Sequence, residues 1–302
     1  AHTANPYNME TTYLLGRSYM HVGRKDKALP LLEEVGKKEP GIDEEFKHIY
    51  AQALHANMKL DAAEQMYSQY LSQLKPGSDE AKAVKLSIQQ VKNAREIVEK
   101  PVEVKIENAG PQINSPFPDY VPVVTADNQT MIFTSRRETN MGDIDYDGFK
   151  YEDLYMAQRK TGGWTNAQPL GEPVNSKYHD ASASISADGQ TLYIYRGGQR
   201  SVYEYKRKGD KWSKPKDLDN ISSRRTWEPH AAQSADGQWL FFVSDRDGGQ
   251  GGLDLWMSKK NSEGEWGEPK NLGNTVNTAY EERAPFFHPD GRTLYFSSEG
   301  HN

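Results

Sequence analysis

The strongest constraint in this chain is a repeat. Four segments align without a gap: Thr125-Ala-Asp-Asn-Gln-Thr-Met-Ile-Phe, Ser186-Ala-Asp-Gly-Gln-Thr-Leu-Tyr-Ile, Ser234-Ala-Asp-Gly-Gln-Trp-Leu-Phe-Phe and His288-Pro-Asp-Gly-Arg-Thr-Leu-Tyr-Phe. Each reads as a strand, an Asp-Gly or Asp-Asn hairpin turn and a second, apolar strand. The turn aspartates Asp127, Asp188, Asp236 and Asp290 are 61, 48 and 54 residues apart. A third strand is expected around Asp153-Leu-Tyr, Ser201-Val-Tyr and Asp254-Leu-Trp. A further signature follows it: Trp164 with Pro169 and Leu170, Trp212 with Pro215 and Leu218, Trp266 with Pro269 and Leu272. The shared spacing predicts that these tryptophans occupy equivalent, largely buried positions.

A period near 50 with about four strands per unit is the mark of a β-propeller, since a closed sandwich has no reason to repeat its own sequence. Composition confines this pattern to the later part of the chain. Residues 1–100 hold 5 of the 25 glycines, 4 of the 16 prolines and none of the 6 tryptophans; with 14 basic and 14 acidic side chains, they leave the whole net charge of −6 to residues 101–302. The domain boundary is therefore expected near residue 100. Residues 101–118, with Pro101, Pro111, Pro116 and Pro118 and the alternation Val102, Val104, Ile106, read as a linker able to add an edge strand, and the propeller is expected over 119–302.

Residues 1–100 read as paired helices. Apolar residues recur at helical spacing over 13–22, 28–35, 46–56 and 62–74, and Gly23, Gly36 and Pro40-Gly41 mark helix ends. Leu15, Gly16, Tyr19, Ala28, Leu32, Val35 and Pro40 have the spacing of a tetratricopeptide (TPR) repeat. Its packing logic is that Gly16 and Ala28 let two helices approach while Tyr19 and Leu32 fill the groove. A second unit over 43–76 keeps Ala53, Ala62 or Ala63, and Met66 or Tyr67, and a fifth helix over 79–99 would cap the stack. The expected class is an α plus β multidomain protein: a short TPR-like α-solenoid, then part of a β-propeller, six-bladed when complete.

The bladed segments resemble the WD40-like repeat of TolB-type propellers, most clearly in Ser-Ala-Asp-Gly-Gln-Trp-Leu-Phe-Phe-Val-Ser-Asp-Arg-Asp-Gly-Gly at 234–249. Helical repeats followed by such a propeller resemble the modular envelope proteins of Bacteroidetes. Those carry a TPR module, this propeller, a small β-domain and an OmpA-like peptidoglycan-binding domain, and some are associated with the type IX secretion system. The resemblance implies a noncatalytic periplasmic scaffold or adaptor, outer-membrane-associated, that is not an enzyme and requires no cofactor. Its implied partners are envelope or secretion-system proteins and, through a domain absent from this chain, peptidoglycan. The alternative is the propeller domain of a carbohydrate-active lyase or peptidase. The chain stops within its fourth unit, and residues 1–7 show no signal-peptide pattern, so a fragment of a longer protein is expected.

Several constellations bear on chemistry. An acidic residue precedes each turn aspartate by eight positions: Asp119, Asp180, Glu228 and Glu282. They could ring a channel mouth, but cross-strand pairs with Arg136, Arg196 and Arg246 are the favoured reading, so that Asp180 meets Arg196 and Glu228 meets Arg246. Glu299 spoils that pattern in the fourth unit. Asp143, Asp145 and Asp147 before Gly148 form Asp-x-Asp-x-Asp-Gly, a candidate Ca²⁺ loop whose twelfth position is Leu154, with Glu152 and Asp153 nearby. Asp245, Asp247 and Asp254 are a weaker set. His179, His230 and His288 stand at different offsets from the turns and are not expected to converge. Cysteine is absent, which excludes disulfides and thiolate chemistry. No P-loop, dinucleotide fingerprint or Gly-x-Ser-x-Gly elbow occurs. The acidic balance disfavours nucleic acid, and no apolar stretch is long enough for a transmembrane span.

Overall fold

The computed structural model describes residues 8–198, 200–223 and 225–301. The chain divides into two compact units between Lys105 and Ile106. The first contains α1 (Met9–His21), α2 (Lys25–Lys38), α3 (Phe46–Ala56), α4 (Leu60–Leu71) and α5 (Asp79–Glu99). Asn8 caps α1 by accepting the Thr11 N–H at 2.8 Å, and Ser78 caps α5 through the Ala81 N–H at 3.2 Å. Each helix packs against the next in sequence. Tyr13, Leu32, Phe46, Leu54, Tyr67 and Val84 share one core. The close approach expected at Gly16 is present: a Cβ there would lie 3.1 Å from the Leu32 side chain, which is itself fully buried.

The second unit is a succession of curled antiparallel sheets resembling part of a β-propeller. The first holds β1 (Asp119–Val124), β2 (Thr130–Ser135), β3 (Asp153–Lys160), β4 (Gly163–Trp164) and β5 (Gln168–Pro169). The second holds β6 (Asp180–Ile185), β7 (Thr191–Arg196), β8 (Ser201–Lys208), β9 (Lys211–Trp212) and β10 (Lys216–Asp217). The third holds β11 (Ala231–Gln233), β12 (Trp239–Ser244), β13 (Asp254–Lys259) and β14 (Lys270–Asn271), and the fourth pairs β15 (Glu282–Phe287) with β16 (Leu294–Ser298). First strands lie beside one another, β1 on β6, β6 on β11 and β11 on β15. Apolar clusters join successive sheets. Ile132 and Leu154 meet Leu192 and Tyr203 in one cluster, and Tyr193 and Val202 meet Leu240 and Phe242 in another.

The repeated turn has a local explanation. Asp127, Asp188 and Asp236 each accept a backbone N–H two residues on, at 3.0 Å, and the Thr125, Ser186 and Ser234 hydroxyls donate to the same carboxylates. The residue after each aspartate takes φ of 58–72°, which suits Gly or Asn. In the fourth turn the hydroxyl is replaced by His288, whose Nδ1 accepts the Asp290 N–H at 3.2 Å.

Residues 101–118 differ from a simple linker. Val102, Val104 and Ile106 are exposed and add no edge strand, whereas Ile113 is buried against Phe133, Tyr155 and Ala157. Apolar alternation alone therefore makes no strand where no sheet edge receives it.

Candidate functional site

In the helical unit a groove of about 960 Å³ is lined mainly by the odd-numbered helices, with Lys25 added from α2 and Tyr67 from α4. Arg17, Met20 and His21 come from α1, His48, Ile49, Gln52 and His55 from α3, and Ser87 and Gln90 from α5. Helical spacing puts His48, Gln52 and His55 on one face of α3. His48 stacks on Tyr70 at 5.0 Å between ring centroids, its Nε2 lies 3.3 Å from the Gln52 amide, and Tyr67 packs edge-on to His55 at 6.2 Å. Burial pushes the His48 pKa below its ordinary value, against the pull of Glu80 and Glu45. Burial, then the neighbouring Lys25 ammonium, do the same to His55. The imidazoles of His48 and His55, tyrosine rings and methionines give this groove a surface that accepts apolar and polar groups together. Arg17 and Glu45 pair across it at 3.2 Å.

The four repeated carboxylates turn inward within their own sheets. Asp180 receives Arg196 at 2.8 Å and the Ser176 hydroxyl at 2.7 Å; Glu228 receives Arg246 at 3.3 Å and the Ser244 hydroxyl at 2.8 Å. Both pairs agree with expectation. In the first sheet the partner differs. Asp119 meets Arg137 at 3.4 Å rather than Arg136. Asp119 lies opposite Ser135 in the ladder, and side chains alternate faces along a strand, so Arg136 points away from it. Glu282 accepts the Thr278 and Ser298 hydroxyls at 2.7 and 2.6 Å and needs no arginine. Asp180, Glu228 and Glu282 are fully buried, so these groups tie the sheets together and form no ring of exposed carboxylates.

Arg136 explains the aspartate-rich loop. Its guanidinium donates to Asp147 at 3.0 Å and Asp145 at 3.4 Å, and packs on the Phe149 ring. Asp143 stays exposed. Two of the three candidate Ca²⁺ ligands thus already hold a cation, and no group of three His, Asp or Glu side chains gathers as a metal site among the described residues. Glu152 is engaged by the Tyr120 hydroxyl at 2.8 Å and by His179. Burial raises the Glu152 pKa less than these hydrogen bonds lower it. Asp153 and Asp254 are buried at the starts of β3 and β13, where they accept the Met141 and Gln250 N–H groups. Asp245 accepts the Trp227 N–H at 2.7 Å. His179, His230 and His288 form no cluster.

Trp164, Trp212 and Trp266 do occupy equivalent places, opposite Arg159, Arg207 and Lys260 at the ends of their third strands. Trp266 is buried; Trp164 and Trp212 are half-buried. A more informative repeat escaped the sequence reading. Asn175 and Asn277 are buried, and each bonds both backbone groups of one third-strand residue: Leu154 at 3.0 and 3.1 Å, Leu255 at 2.8 and 2.9 Å. Its signal was present as Val174-Asn175-Ser176 and Val276-Asn277-Thr278, each asparagine five residues ahead of a buried acid.

No protein-family model matches this chain, and no curated protein matches it. Among solved structures it is similar to TolB from Acinetobacter baumannii, at 17% identity and a TM-score of 0.43, over 63% of this chain and 41% of that one. TolB from Agrobacterium tumefaciens matches at 16% identity and a TM-score of 0.37, over 61% of this chain and 71% of that one. A puromycin hydrolase matches at 14% identity and a TM-score of 0.38, over 60% of this chain and 25% of that one, and a prolyl endopeptidase is similar at the same identity. The structural neighbours include TolB-type β-propeller proteins and propeller-bearing hydrolases. The expectation that the chain is not an enzyme is corrected: solved structures similar to it include a puromycin hydrolase and a prolyl endopeptidase, as distant and partial matches, so the likeness gives no ground for that exclusion. No helix among the described residues is long and apolar enough to cross a membrane.

Proposed function

We propose that this protein is a scaffold or adaptor of the bacterial cell envelope that holds a partner segment in the groove of its helical unit while its bladed unit offers a second contact. The observation that carries the reading is the groove itself: about 960 Å³, lined mainly by three helices, with the His48 and His55 imidazoles, whose pKa values burial lowers, on one face of α3. Such a surface suits a peptide or helix that lays its side chains between helices. The TPR-like spacing of Leu15, Gly16, Tyr19, Ala28, Leu32, Val35 and Pro40 supports it. The order of helical repeats before blades resembles PorE of the type IX secretion system. On that resemblance the protein is periplasmic and outer-membrane-associated, with secretion-system proteins as partners and peptidoglycan reached through a further domain.

The test is site-specific photocrosslinking in cells. A photoreactive residue at Gln52, exposed in the groove, should capture one defined envelope or secretion-system protein; the same residue at Lys37, exposed on α2 and outside the groove, should not. Equal capture from both positions, or none from Gln52, would remove the groove from the function.

A further inference from the structure

Three consecutive sheets bring side chains to one place that neither the groove nor the repeat explains. Arg200 lies in the hairpin between β7 and β8, Trp227 directly precedes the buried Glu228 ahead of β11, and Arg283 is the second residue of β15. Both guanidinium carbons lie 5.5 Å from the centroid of the Trp227 ring. The indole is held in place by its own backbone N–H, which donates to Asp245 at 2.7 Å. A guanidinium stacked on an aromatic face keeps its N–H edge free for a planar anion.

The arginines beside the repeated carboxylates are satisfied within the fold: Arg137 by Asp119, Arg196 by Asp180 and Arg246 by Glu228. Arg283 is shared with Glu281. Arg200 is exposed, and no carboxylate among the described residues lies within ion-pair distance of it. Four buried polar atoms of the segment around Trp227 lack partners among the described residues: Thr226 Oγ1, the indole Nε1 of Trp227, Glu228 Oε2 and His230 Nδ1. Burial, then the positive field of Arg283, push the His230 pKa down to about 4. This cationic, aromatic spot sits on the part of the chain that carries the whole net charge of −6, so its surroundings repel acidic ligands and attraction is confined to these side chains.

We propose that Arg200, Trp227 and Arg283 form a docking site for an acidic peptide segment of a partner protein, with a carboxylate on the Arg200 guanidinium and the peptide's aliphatic stem against the indole. The site is separate from the helical groove and stands or falls independently of it.

Fluorescence anisotropy of a fluorescein-labelled hexaglutamate peptide, titrated with the full chain at low ionic strength, tests this. The wild type should bind saturably and release the peptide as salt rises, while a hexaglutamine peptide should not bind. Arg200→Ala should weaken binding roughly tenfold, the loss of one charge-assisted pair, and Arg283→Ala should weaken it similarly. Arg159→Ala removes a guanidinium stacked on Trp164 in the first sheet, and Lys25→Ala removes a cation of the helical groove; both should bind as wild type. Near-UV circular dichroism reports whether each variant keeps its fold. If Arg283→Ala loses it, Arg200→Ala decides alone, because its side chain is exposed. The proposal is overturned if the wild type does not bind, if Arg200→Ala binds as tightly as wild type, or if Arg159→Ala or Lys25→Ala loses as much as Arg200→Ala.

Discussion

Replacing Asn277 by alanine should destabilise the bladed unit without touching its turns or its apolar core. The Asn277 side chain is 1% exposed, accepts the Leu255 N–H at 2.8 Å, and donates to the Leu255 carbonyl at 2.9 Å and to Asn271 Oδ1 at 2.9 Å. Leu255 itself is fully buried on β13, and β14 pairs with its neighbours Trp256 and Met257. After the substitution the Leu255 carbonyl keeps the Leu272 N–H at 3.1 Å, but the Leu255 N–H has nothing. One orphaned buried donor costs about 1–3 kcal/mol, and the weakened carbonyl adds up to about 1, for roughly 2–4 kcal/mol in total. In a unit of this size that lowers the melting temperature by roughly 5–15 °C. All six tryptophans lie in residues 101–302, so tryptophan fluorescence follows this unit alone during thermal unfolding. Asn175→Ala should cost the same within error, since Leu154 likewise keeps only the Leu170 N–H on its carbonyl. Asn274→Ala, at an exposed position of the same lead-in segment, should change stability by less than about 0.5 kcal/mol. An Asn277→Ala protein as stable as Asn274→Ala would refute the assignment of these asparagines as stand-ins for strand pairing.

Gly16→Val should destabilise the helical unit by about 1–3 kcal/mol, because the new Cβ would already lie 3.1 Å from Leu32; far-UV melting should show it, with the tryptophan signal unmoved. Burial holds the Asp153 carboxyl near a pKa of about 7, with Asp180 adding to the rise and the Met141 N–H and Lys150 opposing it. In the unfolded chain this group ionises near pH 4, so the native state binds the extra proton between about pH 4 and 7, and wild-type stability drops as pH climbs through that window. The melting temperature of Asp153→Asn relative to wild type should therefore rise from pH 5 to pH 8, and a flat difference would show that the carboxyl titrates normally. Millimolar Ca²⁺ should move the wild-type melting temperature by less than about 1 °C, since Arg136 already occupies Asp145 and Asp147. A site saturated a hundredfold above its Kd would add about 2.7 kcal/mol, so a clear upward shift would restore the calcium reading.

The hairpins were legible because their chemistry is local. Asp127, Asp188 and Asp236 satisfy backbone donors two residues away, and nothing distant needs to be known to see it. The cross-strand ties were legible only to within a residue or two. That tolerance is harmless for Asp180 and Arg196, which lie directly opposite in the ladder. It fails for Asp119, where adjacent arginines 136 and 137 lie on opposite faces and serve different carboxylates. The asparagine clamps leave no hydrophobic period behind, since a side chain replaces strand hydrogen bonds outside any strand. The groove is still less visible: its lining is gathered from all five helices, from Arg17 on α1 to Gln90 on α5, and comes together only when the helices pack.

Recurrence separates architecture from function in the bladed unit. The position eight before each turn aspartate holds Asp119, Asp180, Glu228 and Glu282, and each accepts from a hydroxyl or guanidinium donor of its own repeat. A residue that recurs in every blade meets the same local demand in every blade, so recurrence there points to folding. One position earlier the chain has Pro118, His179, Trp227 and Glu281, four different chemistries at one structural place. No common packing role selects a proline, an imidazole, an indole and a carboxylate. That place borders the end of the sheets where Arg200 and Arg283 reach the Trp227 ring and where His179 meets Glu152. Substitutions at the −8 acids should therefore be read out as loss of stability. Those at His179 and Glu281 should alter what the bladed unit binds while leaving its melting temperature within a few degrees of wild type, whereas Trp227 also packs against Val243, Leu253 and Leu255 and its loss lowers stability as well.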